Sequence, residues 1–226
     1  MLLIGMENIL LKLKNKGFDP KHILDIGAYK GYWSVMANEV FPEAKITMFE
    51  PIEYEEHSNL NSSGNLNVEN VLLSSCVTEV DWHEAKNTGD SIFLERTKEF
   101  ENCEVIRKKT NTIDLFFNNS LEQSPELVKI DTQGSEIPII RGGSNVFRNT
   151  EVFILEVPFF GEYNHGVPNF ADHISFMDTL GYCVYDIAES HYLSDELIQF
   201  DFVFIQKNHQ ICKNFQNVID NWKWDE

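Results

Sequence analysis

Residues 22–33 read HILDIGAYKGYW. Ile23, Leu24 and Ile26 make the first part a strand apolar enough to be covered on both faces. The chain then breaks at Gly27-Ala28-Tyr29-Lys30-Gly31 and resumes as a helical pattern through Trp33, Val35 and Met36. Strand, glycine turn and helix start, in that order, form a nucleotide-binding corner. Gly27 and Gly31 let backbone approach a ligand where a Cβ would collide. The helix start beyond them leaves unpaired N–H groups facing the same place.

Spacing separates two readings of this corner. A dinucleotide fingerprint needs G-x-G-x-x-G, whereas here Asp25, Gly27 and Gly31 give Asp-x-Gly-x-x-x-Gly, with Tyr29 where the second pyrophosphate glycine belongs. A carboxylate at Asp25 suits a ligand carrying positive charge and hydroxyls better than a diphosphate. The pattern resembles motif I of class I S-adenosylmethionine (SAM)-dependent methyltransferases. An NAD-type oxidoreductase and a catalytically silent SAM-binding module are the alternatives.

Composition bounds the rest. The 226 residues fit one domain with a real core. Apolar content of 42% and charged content of 24% are those of an ordinary globular protein. The 36 acidic against 18 basic residues leave a net charge of −18, a field that repels phosphate backbones and argues against nucleic acid as a partner. Cys76, Cys103, Cys183 and Cys212 form no C-x-x-C pair, so structural zinc is not expected and a reduced, cytoplasmic location is. No stretch reaches the ~18 consecutive apolar residues of a membrane span. The first 19 residues read as an amphipathic helix, with Ile9, Leu10 and Leu13 on its buried face.

Along the chain, strands are expected at 22–27, 45–50, 67–73, 127–131 and 151–157. Helices fall between them at about 32–41, 53–61 and after Gly134, where Pro138 fits only a first helical turn. Residues 77–86 and 104–109 read as extra extended segments, 112–117 as a short helix and 170–180 as a longer one. Residues 182–187 and 200–206 suggest an edge hairpin, and 208–226 a helical tail. The alternation predicts an α/β fold with seven strands, mostly parallel, helices on both faces and an antiparallel edge strand. A single unit is expected, with 20–207 as its core.

With DIGAYKG (25–31), FEP (49–51) and KIDTQGSEIPIIRGG (129–143) in view, the chain resembles the FkbM family of SAM-dependent methyltransferases. The resemblance covers roughly residues 20–207. It implies SAM as cofactor, S-adenosylhomocysteine (SAH) as product, and methyl transfer to an oxygen, often a hydroxyl of a sugar or another small molecule. It also marks Ala28 and Pro51, inside the matched motifs, as cofactor neighbours. Tyr29 and Gln133 depart from the family's commonest residues at their positions.

Candidate site residues lie where strands end, because open α/β sheets bind ligands there. Asp25 is expected at the amino-acid part of the cofactor, Gly27 and Gly31 at the turn around it, and Glu50 on the ribose hydroxyls. Asp131 faces the methyl group, as base, as acceptor-orienting group or as partner of the cofactor ammonium; a helix N-cap is its rival reading. Glu136 reads as a first-turn helix carboxylate. Glu156 is a candidate for the acceptor pocket. His165 offers a base near neutrality, against the plainer reading of a surface loop histidine, and His191 has a weaker claim of the same kind. Tyr163, with Phe159, Phe160 and Tyr192, offers a sugar platform or simply lid packing. No metal site is expected, and self-association through the apolar tail is left open.

Overall fold

The computed structural model describes residues 5–62, 64–118, 124–159 and 164–222, with backbone alone at 215–217. A helix α1 (Met6–Asn15) buries Ile9, Leu10 and Leu13, as its spacing predicts. Strands β1 (His22–Ile26), β2 (Lys45–Phe49) and β3 (Leu66–Glu69) follow, with α2 (Tyr32–Val40) and α3 (Glu55–Leu60) between them. The chain then leaves the main sheet for β4 (Leu72–Leu73), β5 (Glu79–Glu84) and β6 (Glu104–Asn111). It returns through α4 (Ile113–Phe116), capped by the Thr112 hydroxyl accepting from the Leu115 N–H at 3.1 Å. Next come β7 (Leu127–Ile130), α5 (Glu136–Arg141), β8 (Val152–Pro158), α6 (Phe170–Thr179), β9 (Tyr182–Leu193), β10 (Glu196–Gln206) and α7 (Gln210–Asp220).

The main sheet has seven strands in the order β3-β2-β1-β7-β8-β10-β9. The pairs from β3 to β8 are parallel, and β10 runs antiparallel to both of its neighbours. Alternate strand residues feed two cores. Ile23, Ile46, Met48 and Ile154 pack towards α1 and α2; Leu24, Val128, Phe153 and Leu155 pack towards α5 and α6. From β1 the chain steps outward to β2 and β3, then resumes on the other side of β1 with β7. That reversal opens a crevice at the carboxyl ends of β1 and β7, the place where such sheets bind ligands.

Two expectations need correction. The strand foreseen at 67–73 is two strands in different sheets, because the chain turns out at Asn70, whose side chain donates to the Glu50 carbonyl at 3.2 Å. Strands β4, β6 and β5 form a separate three-stranded sheet. The terminal hairpin is far longer than 182–187 and 200–206, because its distal half is held by the ladder between β9 and β10 and not by an apolar pattern. Among the described residues no helix is long and apolar enough to cross a membrane.

Candidate active site

At the crevice lies a cavity of about 540 Å³, within the roughly 300–1,000 Å³ of small-molecule sites. Its floor is the row of strand ends. Its roof is the second sheet and the connection between β5 and β6, through Trp82, Gly89, Glu95 and Glu99.

The floor is built by close backbone approach. Gly27 has φ +79°, and a Cβ there would come within 1.8 Å of the Asp131 carbonyl oxygen. The glycine therefore lets the turn after β1 lie against the turn after β7. A Cβ on Gly31 would strike Leu60 at 2.4 Å, so the second glycine serves the packing of α2 on α3. Between them Tyr29 takes a left-handed φ of 49°. Its N–H donates to Glu50 Oε2 at 2.8 Å and its carbonyl accepts from His57 Nε2 at 2.7 Å. The other Glu50 oxygen accepts from the Ile52 N–H at 3.0 Å. Burial pushes the Glu50 carboxyl up to about 7, with the Ile52 and Tyr29 N–H groups and the Lys108 charge pulling the other way. Two backbone donors fix this carboxylate in place, and its remaining lone pairs are open to hydroxyl donors.

A second network runs across β1, β7 and β8. Asp25 is fully buried, accepts from the Ser34 hydroxyl at 2.7 Å, and lies in register with Lys129 on the next strand. Burial raises its carboxyl above the usual carboxylate range, opposed by the Lys129 charge. Lys129 is buried and pairs with Asp131 Oδ2 at 2.9 Å. Burial works against its charge, but Asp131, Asp25 and Asp201 outweigh it and hold the ammonium on. Asp131 also accepts from Gln133 Nε2 at 3.1 Å, and the same amide nitrogen reaches Glu156 Oε2 at 2.7 Å. Burial would raise Asp131, yet Lys129 and hydrogen bonds from Glu156 and Gln133 bring it below its ordinary value. Glu156 goes the other way: burial and the Asp131, Asp201 and Glu136 charges push it well above the ordinary range. Within this pair Lys129 favours the charged form of Asp131, while burial and the surrounding acids favour the uncharged form of Glu156.

Past β8, Asp201 on β10 lies opposite Glu156, and His191 on β9 lies opposite Gln199. His191 Nε2 and Asp201 Oδ2 are 2.7 Å apart. Glu189, His191 and Asp201 gather donor atoms within 4.8 Å of one another. We read this group as a hydrogen-bonded dyad beside a carboxylate, not as a metal centre.

Of the residues expected at the site, Gly27, Glu50, Pro51, Asp131 and Glu156 line the cavity together. Asp25, Ala28 and Gly31 are not among its lining residues: Asp25 lies beneath the turn as the buried partner of Ser34 and neighbour of Lys129, and the other two are buried in packing. The N-cap position of α5 is Ser135, so Asp131 is not the cap; Glu136 instead accepts from Thr132 and Gly134 in that turn. His165 sits apart from these residues. It is exposed and does not line the cavity, because the neighbouring Asn164 is tied inward to the Gln133 carbonyl at 2.7 Å while the His165 ring turns to Arg96. Tyr163 and Phe160 lie outside the described residues. Sequence reasoning did not foresee the buried Lys129 beside Asp131, the His57 ring on the Tyr29 carbonyl, or Tyr54 and His191 on the cavity lining. Lys129 and Asp201 each interrupt an apolar strand run, and that interruption is the local signal that marks them.

The lining also has a charge signature. It holds Glu50, Asp90, Glu95, Glu99, Asp131 and Glu156, and no Lys or Arg among the described residues. Such a wall fits a guest bearing a sulfonium and an ammonium, and Glu50 at the β2 tip fits a ribose diol.

Residues 25–184 match the family model described as Methyltransferase FkbM domain. No curated protein matches in sequence. Solved structures that resemble the fold include a 1,6-didemethyltoxoflavin-N1-methyltransferase from Burkholderia thailandensis (8% identity, TM-score 0.48, 90% of this chain and 79% of that one). Another is the magnesium protoporphyrin IX methyltransferase of Synechocystis PCC 6803, with bound SAM (10% identity, TM-score 0.49, 89% and 77%). A third is the precorrin-6y C5,15-methyltransferase of Geobacter metallireducens GS-15 (14% identity, TM-score 0.47, 88% of each chain). At these identities and scores, what those proteins act on is a statement about them alone.

Proposed function

The chain belongs to the FkbM family of methyltransferases, whose cofactor is SAM, and from that premise we propose that it methylates a hydroxyl of a small-molecule or sugar acceptor in the cytoplasm. The observation that carries this reading is the pairing of Glu50 and Asp131 on one cavity at the switch point of the sheet. Bound SAM supplies a methyl group on a sulfonium, a good leaving group for in-line displacement. The protein's own work is alignment, exclusion of water and management of one proton. Glu50, pinned by the Tyr29 and Ile52 N–H groups, accepts the ribose hydroxyls. Asp131, kept ionised by Lys129, meets positive charge at the β7 tip. Glu156, held by the Gln133 amide at 2.7 Å, lines the same cavity as a contact for the acceptor. Four free cysteines support the cytoplasmic location.

The test is calorimetry with SAM and SAH, followed by transfer of labelled methyl to a panel of alcohols. Binding at micromolar or better affinity, weakened at least tenfold by Glu50→Ala, is expected. Absence of binding to the wild type, or undiminished binding by Glu50→Ala, refutes the reading.

A further inference from the structure

Methyl transfer to an alcohol leaves a proton to be removed, and the strand-tip carboxylates on the cavity floor are poor candidates for that task; the other three belong to the roof, where Asp90 accepts from the Ala85 and Lys86 N–H groups, Glu95 from the Thr97 hydroxyl and Glu99 from the Asn87 amide. Asp131 is tied to Lys129 and weakly basic. Glu156 is buried and its carboxyl is engaged by the Gln133 amide at 2.7 Å. Glu50 spends both oxygens on backbone donors just past the end of β2. His165 is off the cavity. We propose that His191, held by Asp201, is the general base that takes the acceptor's hydroxyl proton, an assignment that rests on the SAM-dependent reading above.

The geometry supports it in three ways. His191 lines the same cavity as Gly27, Glu50 and Asp131. Its Nε2 lies 2.7 Å from Asp201 Oδ2, and Asp201 is 3% exposed, so the carboxylate fixes the ring and keeps the proton on Nε2. Nδ1 then presents a lone pair, and no described group hydrogen-bonds it. The charged groups around the ring are Glu189 on its own strand, Asp201 on β10, Glu156 on β8, and Asp131 with Lys129 at the β7 tip. The Asp201 hydrogen bond raises the imidazole above its ordinary value against the effect of burial, and Glu189 and Asp131 add to the rise. That makes the ring a stronger base and stabilises the imidazolium it becomes.

In the step itself the acceptor oxygen forms a bond to the methyl carbon. The carbon–sulfur bond breaks and its electron pair returns to sulfur, turning the sulfonium into a neutral thioether. The hydroxyl proton passes to Nδ1, and the imidazolium later releases it to water. One proton and one methyl ether result per SAM consumed.

SAM and SAH differ by one positive charge at the sulfur, which gives a readout that needs no acceptor. A base within about 10 Å of that sulfur feels the charge, so the His191 ring, followed by NMR titration, should titrate about one unit lower with SAM than with SAH. Asp201→Asn should bring the SAH-bound value down towards that of an ordinary histidine while SAH affinity stays within about threefold. His191→Gln should bind SAH like the wild type and lose about 10²–10⁴-fold in labelled-methyl transfer to whichever of methyl glucoside, methyl glucosaminide and catechol the wild type accepts. Equal His191 titration with SAM and SAH overturns the proposal, as does wild-type transfer by His191→Gln. If none of the three alcohols is methylated, the titration decides. Failure of SAM and SAH to bind at all sinks the methyl-transfer reading instead, whereas binding with an indifferent His191 sinks only the base.

Discussion

Lowering the pH from about 8 to about 6 should loosen SAH by about tenfold, through Glu50 alone. Burial pushes this carboxyl up to about 7. At pH 8 about nine in ten copies are ionised and at pH 6 about one in ten, so a ligand that needs the ionised form loses about a factor of ten. The ionised form is needed because a ribose diol offers two donors, while a protonated carboxyl turns one acceptor into a competing donor. Calorimetry in two buffers of different ionisation enthalpy would show both the weaker affinity and release of close to one proton per SAH at pH 6. In Glu50→Gln the amide nitrogen must face either the Tyr29 or the Ile52 N–H, donor against donor. Binding should therefore be weak at every pH and the pH dependence absent. The same raised value bears on folding. A carboxyl that holds its proton more tightly folded than unfolded stabilises the fold less as pH climbs from about 4.5 to about 7. The loss is about 3 kcal/mol across that window. The urea-unfolding free energy of the wild type relative to Glu50→Gln should fall over that range. An SAH affinity that is flat between pH 6 and 8 refutes the reasoning.

Gly27→Ala should cost more than about 2 kcal/mol in urea unfolding, because the new methyl meets the Asp131 carbonyl at 1.8 Å on a backbone of φ +79°; a loss under about 0.5 kcal/mol would contradict the packing described. Lys129→Met strands Asp25 and Asp131 without their shared cation and should cost about 3–5 kcal/mol in the same measurement at neutral pH. The penalty should shrink in acid, where both carboxyls take up protons. Burial and the adjacent Cys183 push the Cys212 thiol up to about 11. Iodoacetamide at pH 7.5, read by peptide mass spectrometry, should therefore label exposed Cys76 well before Cys212, and equal rates would refute that.

The central sheet was legible because its strands are covered on both faces. Runs such as LVKI at 127–130 and FILEV at 153–157 are apolar but for one charged residue each, and glycines, prolines and helical spacing separate them. Glu50 and Asp131 were legible as the residues on which such strands end. What escaped was non-local. The distal halves of β9 and β10 carry no apolar periodicity, since their partner is each other, so His191 read as a loop histidine. The stretch FDFVFI at 200–205 nevertheless carries a warning, because a carboxylate inside an apolar run must find a partner once buried, and Asp201 finds His191. The surroundings of Asp25 escaped for a related reason. Its motif position is that of a cofactor contact, but the register across β1 and β7 sets it beside Lys129, below the floor. Gly27 and Gly31 were recognised as necessary, yet what they make room for is the protein itself, a neighbouring turn and a neighbouring helix.

The cavity's two walls have separate owners. Strand tips of the seven-stranded sheet make one; the three-stranded sheet and its β5–β6 connection make the other, anchored where the Ser91 hydroxyl meets the Thr132 and Gln133 carbonyls at 3.3 and 3.2 Å. Selection can therefore redraft the overhanging wall, residue by residue, while the wall that grips the donor keeps its shape. Changing clientele demands no change of trade.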